Sequence, residues 1–112
     1  MKYLVAIHHP DDYDAMAVED AAMDRAIDEL NDAMVAAGVR VFVGGLHHAG
    51  TAKSLRAEPS GEVSVSDGAY LPTSEHVAGF WVLEVADLDE ALDWGRRAVV
   101  ACRAPVEVRA FH

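Results

Sequence analysis

Apolar positions along the first half of the chain follow first a strand pattern and then a helical one. Tyr3–Ile7 is a continuous apolar run, which is typical of a strand buried on both faces. An apolar stripe at helical spacing follows it and predicts a helix from about Val18 to Ala37. The stripe consists of Met23, Ile27, Leu30 and Met34. Gly38 is suited to end this helix, and a second strand is predicted at Val39–Val43.

The second half repeats this order after a polar segment. Thr51–Glu58 and Glu62–Ser66 are short, polar and alternating, and the turn residues Pro59-Ser60-Gly61 between them predict a β-hairpin. Asp87 and Glu90 have the spacing of a capping box, which marks the start of a helix. The remaining predicted elements are a strand at Gly79–Val85, a helix at about 88–101 and a strand at Val106–Phe111.

This order of elements predicts the fold class. Two βαβ units separated by a hairpin give an α+β, ferredoxin-like sheet with both helices on one face, in a single domain of residues 1–112. The other face would present alternate residues from four largely apolar strands, such as the segment Phe80–Leu83. Monomers seldom leave such a surface exposed to water, so we expect a homodimer formed sheet to sheet.

Composition narrows the classes of function. The 112 residues carry a formal net charge of −10, and the nine Lys and Arg residues are scattered, which disfavours nucleic acid and anionic membranes as partners. No apolar run approaches the ~18 residues of a membrane span, and the chain starts without a signal-peptide pattern. Cys102 is the one cysteine, which excludes an intrachain disulfide. These features favour the cytoplasm, and no motif calls for a cofactor.

The histidines are the residues of this sequence most suited to a chemical role. Six are present, and five of them lie at predicted strand ends: His8, His9, His47, His48 and His76. The first two strands of a ferredoxin-like sheet run in the same direction and the third runs against them. We therefore expect these imidazoles to meet at one end of the sheet, together with Asp67 and a possible small-molecule ligand.

Three interpretations of this cluster stay open. Imidazole titrates near pH 6.5, so a histidine partnered by Asp67 could perform acid–base catalysis. A metal site is a second interpretation, but no HxH, HxxxH or HExxH spacing supports it, and adjacent strand residues point to opposite faces. The third is that these are polar loop residues without a role. The candidate catalytic residues are Asp67, His47, His8 and His76, and the candidate ligand contacts are His9, His48, Gly68, Tyr70 and Glu75, with no metal ligand among them.

Several segments spread over nearly the whole chain form a familiar pattern: Met1–Leu4, Gly38-Val39, Gly45-Leu46, Val65–Tyr70, Glu75–Phe80, Ala86–Trp94 and Val106–Arg109. In these segments the sequence resembles the YCII-related proteins, in particular their DGPF branch. The resemblance implies a dimeric α+β barrel of ferredoxin-like protomers and a ligand cleft near Asp67 and Gly68. Relatives often accompany extracytoplasmic-function sigma factors, which implies a regulatory setting.

The sequence also departs from that family. Ala69-Tyr70 stands where the branch usually has Pro-Phe, and the first helix carries Asp20 and Asp24 where the wider group has a proposed active-site histidine. A His–Asp pair in this chain would have to use one of the strand-end histidines. Two hypotheses of function follow: a small-molecule enzyme that transfers protons, and a non-catalytic metabolite-binding or regulatory module linked to sigma-factor signalling.

Overall fold

Six strands and three helices make up the computed structural model, which describes residues 1–112. In chain order they are β1 (Lys2–Pro10), α1 (Ala15–Val18), α2 (Ala21–Ala36), β2 (Arg40–Gly45), β3 (Lys53–Ala57), β4 (Val63–Asp67), β5 (Glu75–Glu84), α3 (Leu88–Cys102) and β6 (Val106–Ala110), with a short 3₁₀ turn at Ala49–Thr51 before β3. None of the helices combines the length and apolar character that a membrane crossing requires.

The main sheet has four strands in the order β2-β5-β1-β6, and every neighbouring pair is antiparallel. Strands β1 and β2 therefore run in the same direction, and β5 runs between them in the opposite one. Helices α2 and α3 pack against each other and against this sheet. The architecture is a mixed α+β fold that is consistent with the predicted ferredoxin-like topology, and the predicted hairpin is confirmed as the separate two-stranded sheet β3-β4.

The predicted helix from about Val18 begins later, at Ala21 of α2, and Val18 instead ends the separate four-residue helix α1. The chain is extended at Glu19 and Asp20, and the Asp20 carboxylate accepts a hydrogen bond from the Met23 N–H to begin α2. Arg103, which ends α3 in a left-handed conformation, stabilises the break. Its guanidinium donates to both carboxylate oxygens of Asp20 at 3.1 Å and to the Val18 carbonyl. This pairing holds the pKa of Asp20 below its usual value.

The hydrophobic core lies between the two long helices and one face of the sheet. The largest fully buried side chains are Trp81, Met34, Leu83 and Val5, and Trp94 joins them from α3. Alternate residues of β1 and β5 therefore point to the helices, as the strand period of two requires. Replacing a buried side chain of this size by alanine typically costs about 2–5 kcal/mol of stability.

No helix covers the other face of the sheet. Across β1 and β5, Leu4 lies opposite Val82 and Ala6 opposite Phe80. Phe42 of β2 packs on Phe80 with a ring-centroid distance of 5.7 Å, yet it remains 53% exposed. We refer to this surface below as the uncovered face. Its apolar character agrees with the pattern that predicted a homodimer, and the dimer itself stays a prediction.

Candidate functional site

A cleft of about 310 Å³ opens at the end of the sheet where β1 and β2 finish and β5 begins. The predicted parallel direction of β1 and β2 explains why both histidine pairs reach this end. The polar side chains that line the cleft are those of His9, Asp11, Tyr13, Glu19, His47, His48 and His76. Four of the predicted site histidines therefore meet in one place.

A β-bulge brings His76 to the cleft side of the sheet. Ile7 pairs with Gly79 and His8 pairs with Val77, so Ala78 is an extra residue on β5. An extra residue reverses the alternation of side chains beyond it. His76 consequently lies opposite His9, on the face that carries Trp81 further along the strand.

Both ring nitrogens of His76 have acceptor groups. Nδ1 lies 2.6 Å from Oδ1 of Asp11, and Nε2 lies 3.1 Å from the carbonyl oxygen of Leu71 and 3.2 Å from the Thr73 hydroxyl. The Leu71 carbonyl, and after it the Asp11 carboxylate, raises the pKa of His76 above its usual value. A protonated ring, which donates from both nitrogens, fits this arrangement best. In this protonated form His76 ties the loop after β4 to the end of β1 through both ring nitrogens.

His48 is also fully engaged, but in the neutral form. The Gly50 N–H donates to Nδ1 at 2.9 Å, so the ring proton must lie on Nε2, which donates to the backbone carbonyl of Asp11 at 2.8 Å. The same residue begins the 3₁₀ turn at Ala49–Thr51. His48 therefore holds the backbone of two segments together, and both of its nitrogens are occupied.

His9 has no hydrogen-bond partner on either nitrogen within the chain. Its ring stacks on Tyr13, with centroids 3.7 Å apart and planes inclined by 13°. Burial lowers the pKa of His9 below its usual value, although the Glu19 carboxylate opposes the shift. The Tyr13 hydroxyl donates to Glu19 at 2.8 Å, and burial together with this bond raises the pKa of Tyr13 to about 12. The cleft thus holds a neutral imidazole on a fixed, protonated phenol.

An apolar recess of about 180 Å³ continues from the cleft towards the helices. His9 and Ala78 line both spaces, so His9 lies where the polar and apolar parts join. The recess, called the slot below, is otherwise lined by Ile7, Ile27, Asn31, Val43, Gly44, Gly45, Gly79, Phe80, Trp81 and Cys102.

The remaining predicted site residues lie outside this cleft. Asp67, expected among the histidines, is on the hairpin, where its carboxylate accepts from Lys53 at 2.5 Å and stays largely exposed. Gly68 adopts a φ of +98° in a bend directly after β4, and its N–H donates to the Ala52 carbonyl across the hairpin, so it has a structural role. His8 falls on the opposite face of β1 from His9 because neighbouring strand residues alternate.

Tyr70 and Glu75 also contact parts of the chain outside the cleft. The Tyr70 ring lies 4.8 Å beneath the Arg56 guanidinium of the hairpin. Glu75 pairs with Pro10 at the first position of β5, which starts four residues earlier than the predicted Gly79. The structure brings neither residue into the lining of the cleft.

Three polar side chains that line the cleft are not among the residues predicted from the sequence: Asp11, Tyr13 and Glu19. The segment after His9 was interpreted only as the end of a strand. The signal that could have found Asp11 is its position next to a histidine pair, since a carboxylate there is a natural partner for an imidazole entering from another strand. No group of three or more His, Cys, Asp and Glu side chains is arranged to hold a metal ion.

Comparison with known proteins places the chain in a family. The model of the YCII-related domain matches residues 1–110. The chain belongs to the YCII-related family. A 46-residue segment, 41% of this chain, is 41% identical to an uncharacterized protein of Rhizobium meliloti (strain 1021), of which it covers 37%. The match thus covers well under half the length of that relative. Membership of the DGPF branch stays a prediction.

Proposed function

We propose that this YCII-related protein binds a small molecule in the cleft and exchanges a proton with it through His9. The observation that carries the proposal is the state of the His9 ring, which is neutral, held by stacking on Tyr13, and free of protein partners on both nitrogens. A neutral imidazole can accept a proton at neutral pH, and correctly placed general bases of this kind typically contribute about 10²–10⁴-fold to a rate.

The other cleft residues support this role without taking part in the transfer. Tyr13 fixes the plane of the His9 ring, and Glu19 fixes Tyr13 by accepting a hydrogen bond from its hydroxyl. Protonated His76 supplies a positive charge in the cleft wall, and His48 sets the backbone beside it. In this scheme His9 takes the acid–base role that the sequence pattern assigned to His47, His8 or His76 with Asp67.

Proton exchange with solvent deuterium tests the proposal without knowledge of the natural substrate. A panel of small carbonyl compounds with acidic α-hydrogens is incubated with the protein in D₂O, and loss of the C–H signal is followed by NMR. We expect protein-dependent exchange for a subset, reduced at least tenfold by His9→Gln. The control is His8→Gln, an adjacent imidazole on the opposite face, which should exchange as the wild type. Equal exchange by the His9 variant and the wild type would overturn the proposal.

A non-catalytic binding or regulatory module is the second candidate. It is favoured by the hairpin, where Leu55, Val63 and Val65 are each at least 60% exposed on one side of a two-stranded ribbon. An isolated hairpin with such a side gains stability from a partner surface. The link to sigma-factor signalling belongs to this alternative. Ligand binding that is indifferent to His9→Gln, with no exchange in D₂O, would favour it.

We further propose that the protein is a homodimer of the α+β barrel type, joined through the uncovered face. Support comes from the apolar side chains of that face: Phe80, Val82 and Leu4 lie on its two central strands, and Phe42 packs on Phe80 from the edge strand β2. Charged Glu107 and Arg109 pair on β6 at one edge. An interface of the usual size removes about 800 Å² from each partner, which the area of a four-stranded sheet can supply.

A further inference from the structure

We propose that the slot binds the ring of an uncharged ligand about the size of one six-membered ring, with its polar substituent directed at His9. This inference rests on the proposed function, because it takes the cleft as the binding site and adds the chemical class of the ligand. The inference goes beyond the proposed function by assigning the slot and the glycines of β2 and β5 to ligand recognition.

The size of the slot carries the first step. An apolar cavity of about 150 Å³ is large enough to hold benzene, and the slot measures about 180 Å³. Two glycines keep it open. A Cβ on Gly79 would lie 2.9 Å from the Gly44 carbonyl oxygen, so β2 and β5 approach each other there without side chains. Gly45 follows Val43 on the same face, and a Cβ there would meet nothing within 4 Å.

The polar groups of the slot carry the second step. Asn31 is engaged on both ends: its oxygen accepts from the Trp81 indole N–H at 2.9 Å and from Arg40, and its amide donates to the Ile27 carbonyl. The Cys102 thiol is buried, and burial raises its pKa to about 11, so it carries no charge at neutral pH. His9 is therefore the free polar partner that the slot offers to a ligand.

The surrounding charges carry the third step. The ionised side chains at the cleft are the carboxylates of Asp11 and Glu19 and the cation of His76, which is already paired with Asp11. An anionic ligand would meet the Glu19 carboxylate without a free cation to balance it. Burying an unpaired charge costs far more than burying a hydrogen-bonded polar group. The slot therefore selects uncharged compounds.

Benzyl alcohol and benzoate make a matched pair of probes, since they share a ring and one further carbon and differ in charge. In NMR titrations of the full chain, benzyl alcohol should shift the methyl signals of Ile7, Ile27 and Val43 and the indole signal of Trp81. Benzoate should bind at least tenfold more weakly. Shifts confined to residues that line only the outer cleft, such as His47, or equal binding of the two probes, would overturn the inference.

Gly45→Val supplies the variant test, because valine suits a strand and its methyl groups would fill the slot. We expect this variant to lose benzyl alcohol binding while the sheet amide signals stay dispersed, and Gly45→Ala to retain part of it. Unchanged binding by a folded Gly45→Val variant would contradict the inference. The two proposals can fail independently. If exchange in D₂O does not depend on His9 but benzyl alcohol still binds in the slot, only the proposed proton transfer is contradicted. If His9-dependent exchange is found but benzyl alcohol does not bind in the slot, only the inference that the slot holds a ring is contradicted.

Discussion

His76 and Asp11 are joined by a 2.6 Å contact between Nδ1 and a carboxylate oxygen, although 65 positions separate them in the chain. Because the pKa of His76 is raised partly by this carboxylate, Asp11→Asn should lower it. A pH titration of the His76 ring by ¹H–¹³C NMR measures the change. Asp12→Asn, one residue away and without this contact, is the control. An unaltered His76 pKa in Asp11→Asn would show that the Leu71 carbonyl alone holds the proton.

The pH dependence of stability should reflect two histidines whose pKa values are shifted in opposite directions, His76 and His9. The raised pKa of His76 adds stability that is fully present below about pH 6.5 and is lost as the pH rises through its folded-state pKa. The lowered pKa of His9 acts the other way, since the unfolded imidazole takes up a proton first as the pH falls below about 6.5. Urea midpoints of His9→Gln should therefore decline less than those of the wild type between pH 6.5 and 5. A parallel decline would contradict the shift.

His48→Ala should lower stability more than His47→Ala does. The first variant leaves the Asp11 carbonyl and the Gly50 N–H without their imidazole partner. A typical hydrogen bond contributes about 1 kcal/mol net, and these groups can regain water, so the expected loss is about 1 kcal/mol. His47 is exposed and makes no hydrogen bond in the chain, which makes it the matched comparison. Urea unfolding measures the stability of both variants, and equal midpoints would contradict the proposed stabilising role of His48.

Gly79→Ala should destabilise the sheet, whereas Gly45→Ala should not. The alanine methyl at Gly79 would press on the Gly44 backbone at 2.9 Å, and backbone cannot move aside as a side chain can. Forcing an extra carbon into packed structure typically costs about 1–3 kcal/mol. Gly45, its partner across the two strands, has open space at the same point. Thermal unfolding of both variants distinguishes them, and similar melting temperatures would contradict the close approach of β2 and β5.

Phe42→Asp should disrupt the proposed homodimer. The change places a charge on the uncovered face, at the β2 edge of the sheet, and removes the ring contact with Phe80. Sedimentation at low micromolar concentration should give twice the 12.1 kDa of one chain for the wild type and the single mass for the variant. Val100→Asp, on an exposed position of α3, should sediment as the wild type. A wild-type species at the mass of one chain would exclude the dimer.

The sequence predicted the fold better than the site, for physical reasons. The buried stripe of α2 and the apolar strands have regular periods, so element types and order follow directly from residue spacing. The pairing of Asp11 with His76 depends on a contact across the sheet that no local pattern encodes. Both the expected topology and the Asp-Gly motif of the family favour Asp67, but Lys53 lies opposite it in the hairpin and engages its carboxylate. Turn chemistry and catalytic chemistry use the same residue types here.

The extra residue at Ala78 also determines which side chain of β5 enters the cleft. In a regular ladder continued from the Ile7–Gly79 pair, Val77 would lie opposite His9, and His76 would lie opposite Pro10 with its side chain on the uncovered face. The strand from Gly79 onward, with Trp81 and Leu83 in the core, has the same pairing in either case. A shift of one residue at this point therefore exchanges an imidazole for an apolar side chain in the cleft without moving the core of the sheet. The end of this sheet can vary its chemistry independently of the core that supports it.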